Sequence, residues 1–151
     1  MIITLLVIIA AAEILRLILT HKKHTKKDHF KQKLRGVEKM AWDLEFKLFK
    51  TREIREGIRK LYSDNKARLL DLDEKLKDWK EKPEDKPAAE DRKALLTRDL
   101  ERMESQLKQL DIEIQGTRPT NEYPEGYPGV SGEIDSMVEL KGMLENHIKS
   151  L

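Results

Sequence analysis

Apolar residues crowd the start of the chain and then thin into a regular stripe. Met1 to Thr20 reads MIITLLVIIAAAEILRLILT, and HKKHTKK follows at once. Twenty helical residues at ~1.5 Å each cross about 30 Å, the hydrocarbon thickness of a bilayer. Residues 1–20 are therefore expected to form a single transmembrane helix. Its twelve Ile, Leu and Val residues favour insertion by roughly 4 to 7 kcal/mol, against roughly 2.5 to 3.5 for a central charge. Glu13 and Arg16 are the two charges inside the segment. They stand i, i+3 toward its basic end, where they can pair and snorkel. With Thr20 they share one stripe, which admits a polar contact with another helix or a self-paired couple near the headgroups. A secretory signal peptide would carry its positive charges before the apolar run, and here they come after it.

Behind this segment the apolar positions recur with a 4-3 spacing. In the first long helix, expected to reach about Lys82, the seam runs Phe30, Leu34, Val37, Ala41, Leu44, Leu48. After a polar patch it resumes as Ile58, Tyr62, Asn65, Leu69, Leu72, Leu76, Trp79. Thr51, Arg55 and Asn65 are its polar entries, and Asn65 either fixes register or faces water. A second helix starting near Pro87 repeats the spacing at Leu96, Leu100, Met103, Leu107, Leu110, Ile114. Gly116 sits where a helix stops. A third, after an N-cap at Ser131, presents Ile134, Met137, Leu140, Leu144, Ile148 and Leu151. No stretch alternates with period two between turns, so no sheet is expected.

Two Pro-containing breaks divide the body, Glu81–Pro87 and the Gly- and Pro-rich Gly116–Gly132. The expected class is all-α, in five parts. Residues 1–20 form the transmembrane helix and 21–39 a basic juxtamembrane stem. Residues 26–115 form an antiparallel coiled-coil hairpin turning at 82–87, 116–131 a connector, and 132–151 a C-terminal helix. A short turn makes the two long helices antiparallel neighbours.

Charge adds an orientation. Eight Lys or Arg stand between Lys22 and Lys39 against Asp28 and Glu38, and none precedes the apolar run. The positive-inside rule then places the N-terminus outside and the body in the cytoplasm. Lys22, Lys23, Lys26 and Lys27 are the expected contacts with lipid headgroups. The chain has no cysteine, in keeping with a reducing compartment. Beyond Met40 the balance is acidic, 21 basic against 25 acidic side chains. A nucleic-acid partner is not expected, because the basic stem lacks interleaved aromatics.

The second helix is too short to cover the first beyond about Thr51. The uncovered half holds the most apolar part of the body, Phe30, Leu34, Val37, Met40, Ala41, Trp42, Leu44, Phe46, Leu48 and Phe49. Ala41, Leu44 and Leu48 continue the seam, whereas Trp42, Phe46 and Phe49 (i, i+4, i+7) point elsewhere. A helix apolar on two sides needs two neighbours. The third helix is one candidate, and a second copy or another membrane-complex subunit is the other. These ten residues are the expected assembly surface.

Catalytic chemistry finds no constellation. There is no Cys nucleophile and no Gly-rich phosphate loop followed by Lys-Ser/Thr. His21 and His24 stand at i, i+3, but four lysines around them oppose a cation. No metal, cofactor or small-molecule substrate is expected. The loop Asn121–Val130, with Tyr123 and Tyr127 beside prolines, reads as a recognition loop or a packed connector. The expected function is non-enzymatic: a membrane-anchored coiled-coil scaffold or accessory subunit, joining proteins at the cytoplasmic membrane face. The alternative is a small subunit of a transport, secretion or energy-converting complex with Glu13 near an ion path.

Overall fold

In the computed structural model, which describes residues 2–151 and the side chains from Val7 onward, the chain is all-α. Helix α1 spans Ile2–Lys77, α2 Lys86–Gln115 and α3 Gly129–Ser150, with a single 3-10 turn at Pro83–Asp85. The chain divides into two compact units, Met1–Asp43 with Ile134–Leu151, and Leu44–Glu133.

The second unit is a helical hairpin. Its α1 positions Leu44, Leu48, Thr51, Arg55, Ile58, Tyr62, Asn65, Leu69, Leu72 and Leu76 are each buried or half-buried, and their immediate neighbours are mostly exposed. Seam positions on α2 answer them, with Leu100 and Ile114 the most enclosed at 9 % and 2 % exposure. Ion pairs fix the antiparallel register: Arg55 to Asp111 at 3.0 Å, Lys47 to Glu113 at 3.5 Å, and Lys93 to Asp73. Thr51 is a polar seam residue that stays buried because its hydroxyl donates to the Lys47 carbonyl at 2.9 Å. Such back-bonding satisfies a buried hydroxyl inside a helix.

Helix α1 stops at Lys77, five residues before the expected end. Lys82 precedes Pro83, and its backbone is extended (φ −57°, ψ 133°), since a residue before proline is driven out of the helical region. Trp79 lies beyond the helix and donates its indole N–H to the Lys82 carbonyl at 3.0 Å. Pro87 falls in the first turn of α2, where a missing N–H costs nothing.

The connector closes on itself. Gly116 ends α2 with φ 76° and ψ −170°, a conformation open essentially to glycine alone. Thr117 and Tyr127 exchange backbone hydrogen bonds of 2.7 and 3.0 Å. Inside this closure Tyr123 and Tyr127 stack with centroids 5.8 Å apart. The Tyr123 carbonyl accepts from Thr120 and Gly126, at 2.8 and 2.9 Å. Gly129, also at positive φ, opens α3 tightly against Gln115 and Gly116. Helix α3 thus begins at Gly129, not after Ser131, and fully buries Val130.

In the first unit α3 lies against the early part of α1. The His147 ring meets Phe30 edge-on at 4.4 Å, and Lys141 pairs with Glu38 at 3.4 Å. Val37 is buried between these contacts in sequence, at 8 % exposure. From Val130 a series of half-buried positions at four- and three-residue steps runs Ile134, Met137, Lys141, Leu144, Ile148 and, just past the helix, Leu151. Leu140, expected on this face, is 39 % exposed and Lys141 takes the seam position.

The expected transmembrane segment is corrected. Among the described residues no helix is long and apolar enough to cross a membrane. Met1 and the side chains of residues 2–6 lie outside the described residues. From Val7, the eighteen residues to His24 hold four charges, Glu13, Arg16, Lys22 and Lys23. Within the described stretch Glu13 and Arg16 interrupt the apolar residues, and Lys22 and Lys23 follow close behind. The membrane location, with the N-terminus outside and the body cytoplasmic, falls with the span that carried it.

Candidate interaction surface

The first unit arranges its charged and aromatic groups along α1. Glu13 and Arg16 pair with each other at 3.7 Å and both are largely exposed. The Thr20 hydroxyl donates to the Arg16 carbonyl at 2.7 Å. These three polar groups therefore partner within their own helix. Lys22, Lys23 and Lys26 are exposed and Lys27 is half-buried. Lys23 and Lys27 line a groove of about 550 Å³ with Leu19, His24 and the C-terminal Leu151. Phe30, Leu34, Val37 and Ala41 turn inward, whereas Met40 and Trp42 remain exposed.

In the second unit Leu44 and Leu48 also turn inward. Phe46 and Phe49 point outward, 53 % and 56 % exposed. The Lys50 ammonium lies 5.8 and 5.7 Å from their ring centroids and pairs with Glu53 at 3.2 Å. Of the ten residues expected to form an assembly surface, six face the chain's own interior and four face out.

The two flanks of the hairpin differ in chemistry. One carries Arg55–Asp111 and Lys93–Asp73. The hydrogen bond from Lys93, and then its charge, hold the Asp73 carboxyl below the usual carboxylate range. The other flank carries Lys47–Glu113 and, next to it, a groove of about 330 Å³ lined by no charged residue, between Ile54 and Ile58 of α1 and Ser105, Gln106, Gln109 and Leu110 of α2. Ile54, which lines the groove, is 56 % exposed, and Leu61, one heptad on, is 55 % exposed. Sequence reasoning passed over this flank, although a signal exists: both residues stand one place before a seam position, seven apart. Between them lies Gly57, where an added methyl group would meet nothing within 4 Å.

The described residues contain no cluster of His, Asp or Glu able to hold a metal ion. Every buried side-chain nitrogen or oxygen described has a hydrogen-bond partner. The described surface carries exposed apolar and aromatic groups set on helices among charged residues. No protein-family model, curated protein or solved structure matches the chain.

Proposed function

We propose that the chain is a coiled-coil scaffold or accessory subunit that holds proteins together through its helix surfaces. The observation that supports this reading most is the outward pair Phe46 and Phe49 on a helix whose seam is already filled by its own hairpin. Aromatic groups contribute large contact areas at low entropy cost and are enriched at the cores of interfaces. A chain that is 38 % charged keeps such groups outward at a cost in solubility, which assembly removes. The helical frame presents them rigidly, and Lys50 beside both rings adds a charge that selects among partners.

Light scattering on the full-length protein tests the reading. Wild type is expected to run as a defined assembly, and the double variant Phe46→Ser, Phe49→Ser as a smaller species with unchanged helix content. An unchanged mass for the double variant would overturn the proposal.

A further inference from the structure

We infer that one side of the first unit, the side carrying Lys22, Lys26 and Lys33, rests on an anionic lipid surface, with α1 lying along the interface and not through it. The inference is independent of the assembly reading above and concerns a different surface.

Periodicity is the first argument. At about 100° per residue, one stripe of α1 is apolar at Ala11, Leu15 and Ile18 and cationic at Lys22, Lys26 and Lys33, with His29 among the lysines. Every one of these side chains is exposed. Between Val7 and Met40 no carboxylate enters the stripe: Glu13, Asp28 and Glu38 all fall on the far side of the helix. Exposed apolar residues also flank the stripe, Ile14 and Leu17 on one side, Ile8 and Leu19 on the other. Together they make an arc about 200° wide, broader than the stripe of about 100° by which a helix packs on protein. A helix sunk ~5–10 Å into a lipid interface has half or more of its circumference covered.

Helix α3 completes the same side. Phe30 stands on the edge of the α1 seam nearest the stripe, with the Lys33 ammonium 5.6 Å from its ring centroid. The His147 ring meets Phe30 at 4.4 Å, and this contact fixes which flank of α3 shares the side. Stepping back from His147 at helical spacing, that flank holds Met143, Leu140 and Ser136, all exposed and uncharged. The carboxylates lie elsewhere. Glu38 and Glu145 meet Lys141 at 3.4 and 4.0 Å on the opposite flank, and Asp135 and Glu139 are exposed on the face of α3 turned from α1. One side of the unit is therefore apolar and cationic, and its acids face the other way.

Charge complementarity names the occupant. An anionic leaflet sets negative headgroups over acyl chains, so it meets both halves of the stripe at once. The apolar half sinks, and the lysines lay their stems along it and carry their ammonium groups up to the phosphates. A soluble polyanion would match the lysines and leave Leu15 and Ile18 in water. Each lysine at such a surface contributes up to about fivefold in affinity. Of the other cations nearby, Lys23 and Lys27 turn to the groove with Leu151, and Lys31, Arg35 and Lys39 lie off the stripe.

Flotation of the full-length protein with preformed vesicles tests this, using phosphatidylcholine alone and phosphatidylcholine with about 30 % phosphatidylserine. The anionic vesicles should bind at least about tenfold more tightly, and ~0.5 M salt should remove most of the difference. Lys22→Gln, Lys26→Gln and Lys33→Gln together should weaken binding to them about thirtyfold or more. Lys31→Gln, Arg35→Gln and Lys39→Gln make the same change in net charge off the stripe, where salt screens them, and should cost less than about fivefold. Leu15→Ser with Ile18→Ser should weaken binding to both kinds of vesicle about tenfold or more. All these side chains are exposed, so circular dichroism should be unchanged. A protein that floats with neither vesicle, equal affinity for the two, or equal losses from the two sets of cations overturns the inference. Binding indifferent to Leu15→Ser, Ile18→Ser marks a soluble polyanion as the partner and overturns it too. Retention on the vesicles after alkaline carbonate extraction marks a crossing segment and overturns the surface-lying geometry.

Discussion

Replacing Gly116 with alanine should loosen the junction of α2 and α3 more than any other single methyl group in the chain. The conformation there, φ 76° with ψ −170°, belongs to a region occupied essentially by glycine. Holding alanine in it costs about 1–3 kcal/mol. The new Cβ would also collide with the carbonyl oxygen of Tyr127 and stand 2.7 Å from that of Pro128. Relief requires the loop to move away, and the first bonds to go are the two between Thr117 and Tyr127. Each contributes about 0.5–1.5 kcal/mol. The sum is about 2–6 kcal/mol, a large share of the 5–15 kcal/mol typical of a domain. Urea unfolding followed by helix signal should show a clear fall in midpoint, and hydrogen exchange should quicken at the Thr117 and Tyr127 amides. Gly36→Ala is the control, because that glycine is helical with nothing within 4 Å and should gain about 0.5–1 kcal/mol. A Gly116→Ala midpoint equal to wild type would refute the claim that this geometry demands glycine.

Two further outcomes follow from the hairpin. Ile114→Ala removes a side chain only 2 % exposed and should cost about 2–4 kcal/mol in urea unfolding, while Leu70→Ala, 60 % exposed, should cost less than about 1 kcal/mol. Lys93 lowers the Asp73 carboxyl, so the fold favours its ionised form and the unfolded chain takes up the proton first. That part of the stability is present above the ordinary carboxylate range and is lost as pH falls through and below it. Thermal melts from neutral to acid pH should show a shallower decline for Asp73→Asn than for wild type, and equal slopes would count against the pair.

Periodicity carried further into the structure than any motif did. The seam of α1 was legible because a residue at every 4-3 position must be covered if the helix is to pack at all. Thr51 and Arg55 show that the spacing holds even where the residue is polar, each finding a hydrogen bond at its place. Phase was harder to read than spacing. Apolar spacing after Ile134 and Met137 selects Leu140, whereas the covered series passes through Lys141 and leaves Leu140 exposed. The partner that makes Lys141 acceptable, Glu38, is about a hundred residues away in sequence, and no local pattern announces it. The closure of the connector was hidden for the same reason. Glycines and prolines marked a turn, but that Gly116 and Gly129 abut is a property of two distant backbones. The transmembrane expectation failed differently. It weighed the apolar residues of the segment above Glu13 and Arg16, and among the described residues no helix is apolar enough over a sufficient length to cross a membrane.

Because the connector leaves and re-enters the helical body at adjoining glycines, its contents are nearly independent of what they join. The residues between the Thr117–Tyr127 closure and its tip could lengthen, shorten or be exchanged for a folded insert while α2 and α3 kept their ends in place. Exposed loops with neighbouring ends are the positions at which chains accept insertions. A reporter domain placed at Asn121 or Glu122 would ride on the protein without entering its packing. The same geometry lets the connector change in sequence faster than the helices on either side of it.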